Sequence, residues 1–167
     1  CAPRDERRAR DGEEPMRTTL EKVLLLKGAS LFARVSSEDL MPLAVAADER
    51  TYAKGETIVR EGEVGDALFV ILHGRVSVLR GGSRLATLGP GETVGEMAVL
   101  DAEPRSATVR ADEETAVLVI ASEDFYEVLR EQVEIAEGVI RTLTRRLREA
   151  NTAFDPMSIA PPRPDPD

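Results

Sequence analysis

The stretch Val94-Gly95-Glu96-Met97-Ala98-Val99-Leu100-Asp101-Ala102-Glu103-Pro104-Arg105-Ser106-Ala107-Thr108-Val109 decides how the rest of the chain is read. It breaks a rhythm of short strands. Gly95 to Leu100 has the pattern of one short helical turn set into a β domain. Gly95, with no Cβ, lets the backbone approach a ligand closely. The amides of Met97 and Ala98 fall at the start of the turn, where N–H groups lack intrahelical partners and favour an anion. Pro104 stiffens the return, and Arg105 offers a planar fork of donors suited to phosphate. Ser106 adds a backbone N–H and a hydroxyl, and small Ala107 lets the chain pass close to whatever is bound. Two plainer readings stand beside this one. Arg105 could pair at the surface with Asp101, Glu103 or Asp66, and Glu96 could simply be a carboxylate at a helix start.

On both sides of this insert, from Glu49 to Ala121, the pattern is one of short strands. The spacing predicts strands at Arg50–Ala53, Thr57–Arg60, Ala67–Leu72, Arg75–Arg80, Arg84–Leu88, Ala107–Ala111 and Ala116–Ile120. Lys54-Gly55, Gly62 to Asp66, His73-Gly74, Gly81-Gly82 and Gly89-Pro90-Gly91 separate them. Strands at such intervals with glycine punctuation predict an all-β barrel or sandwich. In Arg75–Arg80, Val76 and Val78 should face one way, and Arg75 and Ser77 the other.

Helical periodicity flanks the strands. Between Thr18 and Ala47, Leu20, Val23, Leu24 and Lys27 recur at helical spacing, and Ser36 or Ser37 followed by Glu38-Asp39 reads as a helix start. Ser122, with Glu123 and Asp124 behind it, reads as another cap. The last helix, about Val133 to Phe154, carries Val133, Ala136, Ile140, Leu143, Leu147, Ala150 and Phe154 at alternating three- and four-residue steps. That is a coiled-coil seam suited to a homodimer. A single broad face packed on its own domain fits the same residues, and Ile135 and Val139 lie off the seam, placed to reach the β domain.

A second segment, Ile58-Val59-Arg60-Glu61-Gly62-Glu63-Val64-Gly65-Asp66-Ala67-Leu68-Phe69-Val70-Ile71-Leu72-His73-Gly74, is by itself only a hairpin. Taken with the first, it resembles the signature of the cyclic-nucleotide-binding family. That family includes the catabolite activator proteins, the regulatory subunits of cAMP-dependent protein kinase, and nucleotide-gated channels. The Gly95-Glu96-Met97-Ala98 and Arg105-Ser106-Ala107 pieces are similar to its phosphate-binding cassette. The helix–strands–helix order extends the likeness over roughly 18–154. The resemblance implies a mainly β fold with flanking helices: a double-stranded β-helix or jelly-roll-like β-roll with N-terminal helices and a long C-terminal helix. It implies that Arg105 pairs with a cyclic phosphate, helped by the amides of Ala98 and Ser106. Glu96 would accept from the ribose 2′-OH beside the Gly95 carbonyl, and Asp66 would orient Arg105 from behind. The implied ligand is cAMP or cGMP, with a modest lean to cAMP from Ser106. Ala150 and Asn151 are candidates to cover the purine. A degenerate relative that no longer binds nucleotide and serves as a dimerisation or docking domain is the alternative.

Composition sets bounds on the rest. The 167 residues suit one ordinary domain. Aromatics are 4% with no Trp, so Val, Leu, Ile and Ala must build the core. A net charge of −9 argues against general affinity for nucleic acid or anionic membrane, and so against direct DNA binding by this chain. No apolar run comes near the ~20 residues of a membrane-spanning helix. The single cysteine, Cys1, permits no internal disulfide and suits a reducing, cytoplasmic setting. His73 is the only histidine and reads as a turn residue, since no second His or Cys stands by to help it hold a metal. Tyr52, Phe69, Phe125 and Tyr126 read as core or interface. No arrangement of nucleophile and base emerges, so no catalytic residue or catalytic cofactor is expected. Residues 1–17 are dense in charge and 155–167 rich in proline, which predicts disordered tails or linkers around the domain at 18–154. A start without Met suits an excised fragment or a processed product (a mature lipoprotein also begins with Cys), and the two linkers suit a larger protein with an output domain.

Overall fold

The computed structural model describes residues 17–153. Apart from Arg17, the expected tails lie outside these residues, as does Phe154. In chain order the elements are α1 Thr19–Gly28, α2 Ser37–Ala46, β1 Asp48–Tyr52, β2 Thr57–Val59, β3 Ala67–His73, β4 Val76–Arg80 and β5 Ser83–Leu88. There follow β6 Thr93–Val94, α3 Glu96–Asp101, β7 Thr108–Ala111, β8 Thr115–Ala121, α4 Ser122–Glu131 and α5 Val133–Ala153. The strands form two antiparallel four-stranded sheets, in the orders β1-β8-β3-β6 and β2-β7-β4-β5. This is the β-roll with helices before and after it that the sequence predicts.

The unbroken apolar runs of β3 and β8 have a simple cause: both strands are covered on both faces. Leu68 and Val70 of β3, with Leu118 and Ile120 of β8, pack into a core shared with the helices. Their alternates Phe69, Ile71, Val117 and Val119 fill a second core, with Val59, Val76 and Val109 of the other sheet. Each strand therefore needs apolar side chains at every position rather than every second one. Val76 is fully buried, as expected of its face. Ser77 on the opposite face is buried too, and its hydroxyl donates to the Asp112 carboxylate at 2.7 Å.

Two local readings are made specific by the structure and one needs correction. In α1 the residues turned inward are Val23 and Leu26, whereas Leu20 and Leu24 are exposed. The helix is apolar on several sides, and its spacing alone does not say which side docks. Ser36, not Ser37, caps α2, accepting from the Asp39 amide at 3.1 Å. Ser122 does not cap α4; the cap position is Ala121, and the Ser122 hydroxyl instead donates to the Asp66 carbonyl at 2.6 Å.

α5 returns across the helical side of the roll. Ile135 and Val139 are buried against the core, as their off-seam positions predict. Gly138 passes so close to the turn after α1 that a Cβ there would stand 2.1 Å from the Leu31 carbonyl oxygen. Of the seam residues, Val133, Ile140 and Leu147 are 62–65% exposed, while Leu143 packs against the core. α5 thus presents one face to its own domain and a stripe at seven-residue intervals to the outside.

Candidate functional site

The insert between β6 and β7 is held at both ends by the roll. β6 pairs with β3 through Phe69↔Val94 and Val70↔Thr93, which brings Gly95 beside the start of β3. Gly95 lies in the left-handed region at φ 94°, and a Cβ on it would meet Arg105 Nη1 at 2.2 Å. Both facts require glycine there. α3 ends at Ala102, also left-handed at φ 56°. The return is clipped to the first motif. Val64 bridges Pro104, the Arg105 amide donates to the Glu63 carbonyl at 2.7 Å, and the Gly62 amide donates to the Arg105 carbonyl at 2.8 Å. The two segments singled out in the sequence are therefore one structural unit.

This clip turns the Arg105 side chain inward, where it is only 6% exposed. Its Nη2 donates to the Ala67 carbonyl at 2.8 Å and its Nη1 to the Gly95 carbonyl at 3.4 Å. Its Cζ sits 5.6 Å from the Phe69 ring centroid, within cation–π range. A Cβ on Gly65 would meet Arg105 Nε at 2.6 Å, so this glycine is also part of the cradle. Burial pulls the pKa of the guanidinium down, and the nearby carboxylates of Asp66, Glu96 and Glu63 pull it back up. An arginine stays charged through such shifts, and it carries more N–H groups than two carbonyls occupy.

Glu96, the first residue of α3, is 1% exposed. Its Oε1 is ion-paired with Arg146 Nη1, while its Oε2 is buried with no hydrogen-bond partner. Arg146 comes from α5 and also donates through Nη2 to the Thr93 carbonyl. The Thr93 hydroxyl is likewise buried without a partner. One residue earlier on α5, Arg145 lies 3.6 Å from Glu92. Buried polar atoms without partners are costly, so the two orphaned oxygens mark a place suited to a donor.

The other expected site residues fall around this pair. Ala98 is buried and Met97 about half exposed on α3. Ser106 is exposed, its carbonyl accepting from Arg80 Nε at 3.0 Å, and Ala107 is buried. The Gly95 carbonyl already accepts from the Val99 amide as well as from Arg105. Asp66 departs from the resemblance. Its side chain is exposed and, among the described residues, makes no ion pair with Arg105; its backbone carbonyl takes the Ser122 amide and hydroxyl. The carbonyls of Ala67 and Gly95, with the Phe69 ring, orient Arg105 instead. Phe69 is thus core and site at once. The Tyr126 hydroxyl donates to the carbonyls of Val99 and Leu100, tying α4 to the end of α3. His73 is exposed at the end of β3, and no group of three or more His, Cys, Asp or Glu among the described residues could hold a metal.

A buried charged fork and a buried carboxylate thus stand close together on one short insert of the roll. Residues 49–132 match the family model described as "Cyclic nucleotide-binding domain", which is half of the chain, and the chain belongs to that family. It is 36% identical over 138 residues to the cyclic AMP receptor protein of Thermus thermophilus, covering 80% of this chain and 64% of that protein. It is 37% identical over 122 residues to a cyclic nucleotide-gated potassium channel of Rhizobium etli, covering 73% of this chain and 34% of the channel. The crystal structure of the Thermus thermophilus catabolite activator protein superposes with a TM-score of 0.69 at 36% identity, over 78% of this chain and 63% of that one. The chain thus spans between a third and two thirds of the length of these relatives. Among its described residues no helix is long and apolar enough to cross a membrane.

Proposed function

We propose that the chain is the regulatory module of a cytoplasmic signalling protein, binding cAMP in preference to cGMP and reporting its occupancy through α5. The observation that carries this reading is the buried Arg105 beside the buried Glu96, whose second oxygen lacks a partner. Arg105 pairs with the cyclic phosphate, assisted by the amides of Ala98 and Ser106, and Glu96 accepts from the ribose 2′-OH. Gly95, Met97 and Ala107 line the approach. Asp66 acts only as a distant charge that favours the guanidinium. The 36% identity to a cyclic AMP receptor protein supports cAMP as the ligand. The exposed stripe Val133, Ile140 and Leu147 supports a homodimer formed through α5. The output, whether a fused domain or a partner protein, is of the kind that differs between a transcriptional receptor and a channel.

Ligand binding shifts the population between two placements of α5 only as far as its affinities for them differ. The test is calorimetric titration of the chain with cAMP and cGMP, alongside Arg105→Ala. Losing one partner of a buried charge pair costs about 2–5 kcal/mol, so the variant should bind roughly thirty- to several-thousand-fold more weakly. Native affinity in Arg105→Ala removes the assignment. Absence of binding by the wild type at millimolar nucleotide points to the docking-domain reading.

A further inference from the structure

We infer that Arg80, at the end of β4, is a second arginine of the phosphate subsite, tethered to the cassette itself. The inference rests on the reading of Ser106 as a phosphate donor and adds a cation that neither sequence segment contains. Alternation along β4 puts Arg80 on the same face as Val76 and Val78, and those two pack into the inner core with Phe69. Its Nε donates to the Ser106 carbonyl at 3.0 Å. The turn after it is held as well, the Gly81 amide donating to the Glu61 carboxylate at 3.2 Å. From the opposite side the Gly62 amide donates to the Arg105 carbonyl at 2.8 Å. The peptide bonds are trans, so the Ser106 N–H points opposite to the Arg105 carbonyl and away from Gly62. β7 lies between β2 and β4, which makes that direction the side of Arg80. Among the described residues neither the Ser106 amide nor the two terminal nitrogens of Arg80 have a hydrogen-bond partner. An anion accepted by the Ser106 amide therefore meets Arg80 at the rim and Arg105 from within. Because Nε is already committed, the guanidinium is ordered before the ligand arrives, and a contact through its terminal nitrogens costs less entropy.

The experiment measures, by calorimetry on the full chain, the affinities for cAMP and for its two cyclic phosphorothioate diastereomers, which carry sulfur at one or the other exocyclic position. Wild type is compared with Arg80→Met, Arg80→Lys and Arg80→Gln. Arg80 is exposed, so these substitutions leave the chain folded. Sulfur is a poorer hydrogen-bond acceptor than oxygen. Arg80→Met should lose about three- to tenfold in affinity for cAMP and for the diastereomer whose oxygen faces Arg80, and less than about twofold for the diastereomer whose sulfur does. Arg80→Lys, a point charge able to reach the same carbonyl, recovers part of the loss. Arg80→Gln, which keeps a donor for the carbonyl but no charge, recovers none. A loss equal for both diastereomers marks Arg80 as merely structural and overturns the inference, as does native affinity in Arg80→Met or full recovery in Arg80→Gln. A wild type that binds none of the three nucleotides at millimolar concentration removes the phosphate reading of the whole site, and the role of Arg80 with it.

Discussion

The two halves of α5 belong to one helix but are held by different forces. From Val133 to Leu143 it is part of the core: Ile135 is fully buried, Val139 and Thr142 nearly so, and Gly138 lies against the backbone at Leu31. Beyond Leu143 no apolar side chain is buried among the described residues, and the helix meets the roll through Arg145 to Glu92 and Arg146 to Glu96 and Thr93. Burial of apolar surface is short-ranged and insensitive to a small ligand nearby. Ion pairs to a cassette are not, since anything that claims or frees the carboxylate changes them. The first half therefore fixes where the helix starts, and the second half is held to the roll by charged contacts with Glu92, Thr93 and Glu96.

The largest expected effect tests the first half. Ile135→Ala should cost about 2–5 kcal/mol of stability in chemical denaturation, with nucleotide affinity little changed under conditions where the variant stays folded. A variant that loses affinity but not stability would break the comparison. A smaller effect concerns α1, where Thr18 and Glu21 form a capping box away from both halves. Hydrogen bonds from the Thr18 backbone and side chain hold the Glu21 carboxyl below its ordinary 4.5. A carboxyl whose pKa is depressed by folding stabilises above its unfolded pKa, and that contribution is lost as the pH falls through the folded value. Thr18→Ala should thus lower the melting temperature by a few degrees at neutral pH, and the gap to wild type should narrow in a scan below pH 4.5. The smallest effect sharpens the account of the outer stripe. The double variant Ile140→Ser, Leu147→Ser should alter the stability of the dilute chain by no more than about 0.5 kcal/mol. The wild-type melting temperature should rise with protein concentration and that of the variant should not. A wild type equally insensitive to concentration means that the stripe is no dimer seam.

How far the sequence revealed this arrangement depended on how local each cause was. The runs in β3 and β8, the short helix after Gly95 and the inward residues Ile135 and Val139 were legible because periodicity and composition within a few residues determine them. β6 was not, because Thr93–Val94 is two residues long and owes its existence to pairing with β3 rather than to any pattern of its own. The cassette residues were legible as a motif, but the cradle of Arg105 was not: Phe69 and the carbonyl of Ala67 read as ordinary strand. Asp66 was assigned to Arg105 by resemblance, yet its carbonyl rather than its carboxylate makes the contacts seen, and they are with Ser122. Arg146 stood hidden among Arg141, Arg145 and Arg148. Which arginine turns inward depends on the docking of Gly138 and Ile135 upstream, and on a carboxylate fifty positions away in the chain.

The glycine contact at Leu31 also has a mechanical consequence. With Ile135, Val139 and Thr142 it makes a grip that ends near Leu143, beyond which the helix runs on as a stiff rod. From Thr144 to Ala153 that rod is about 15 Å long at ~1.5 Å per residue. A tilt of roughly 20° about its gripped end carries its tip about 5 Å, close to the spacing of neighbouring β-strands. A swing of that size leaves the apolar core in place, because among the described residues the arm has no buried apolar side chain to pull out.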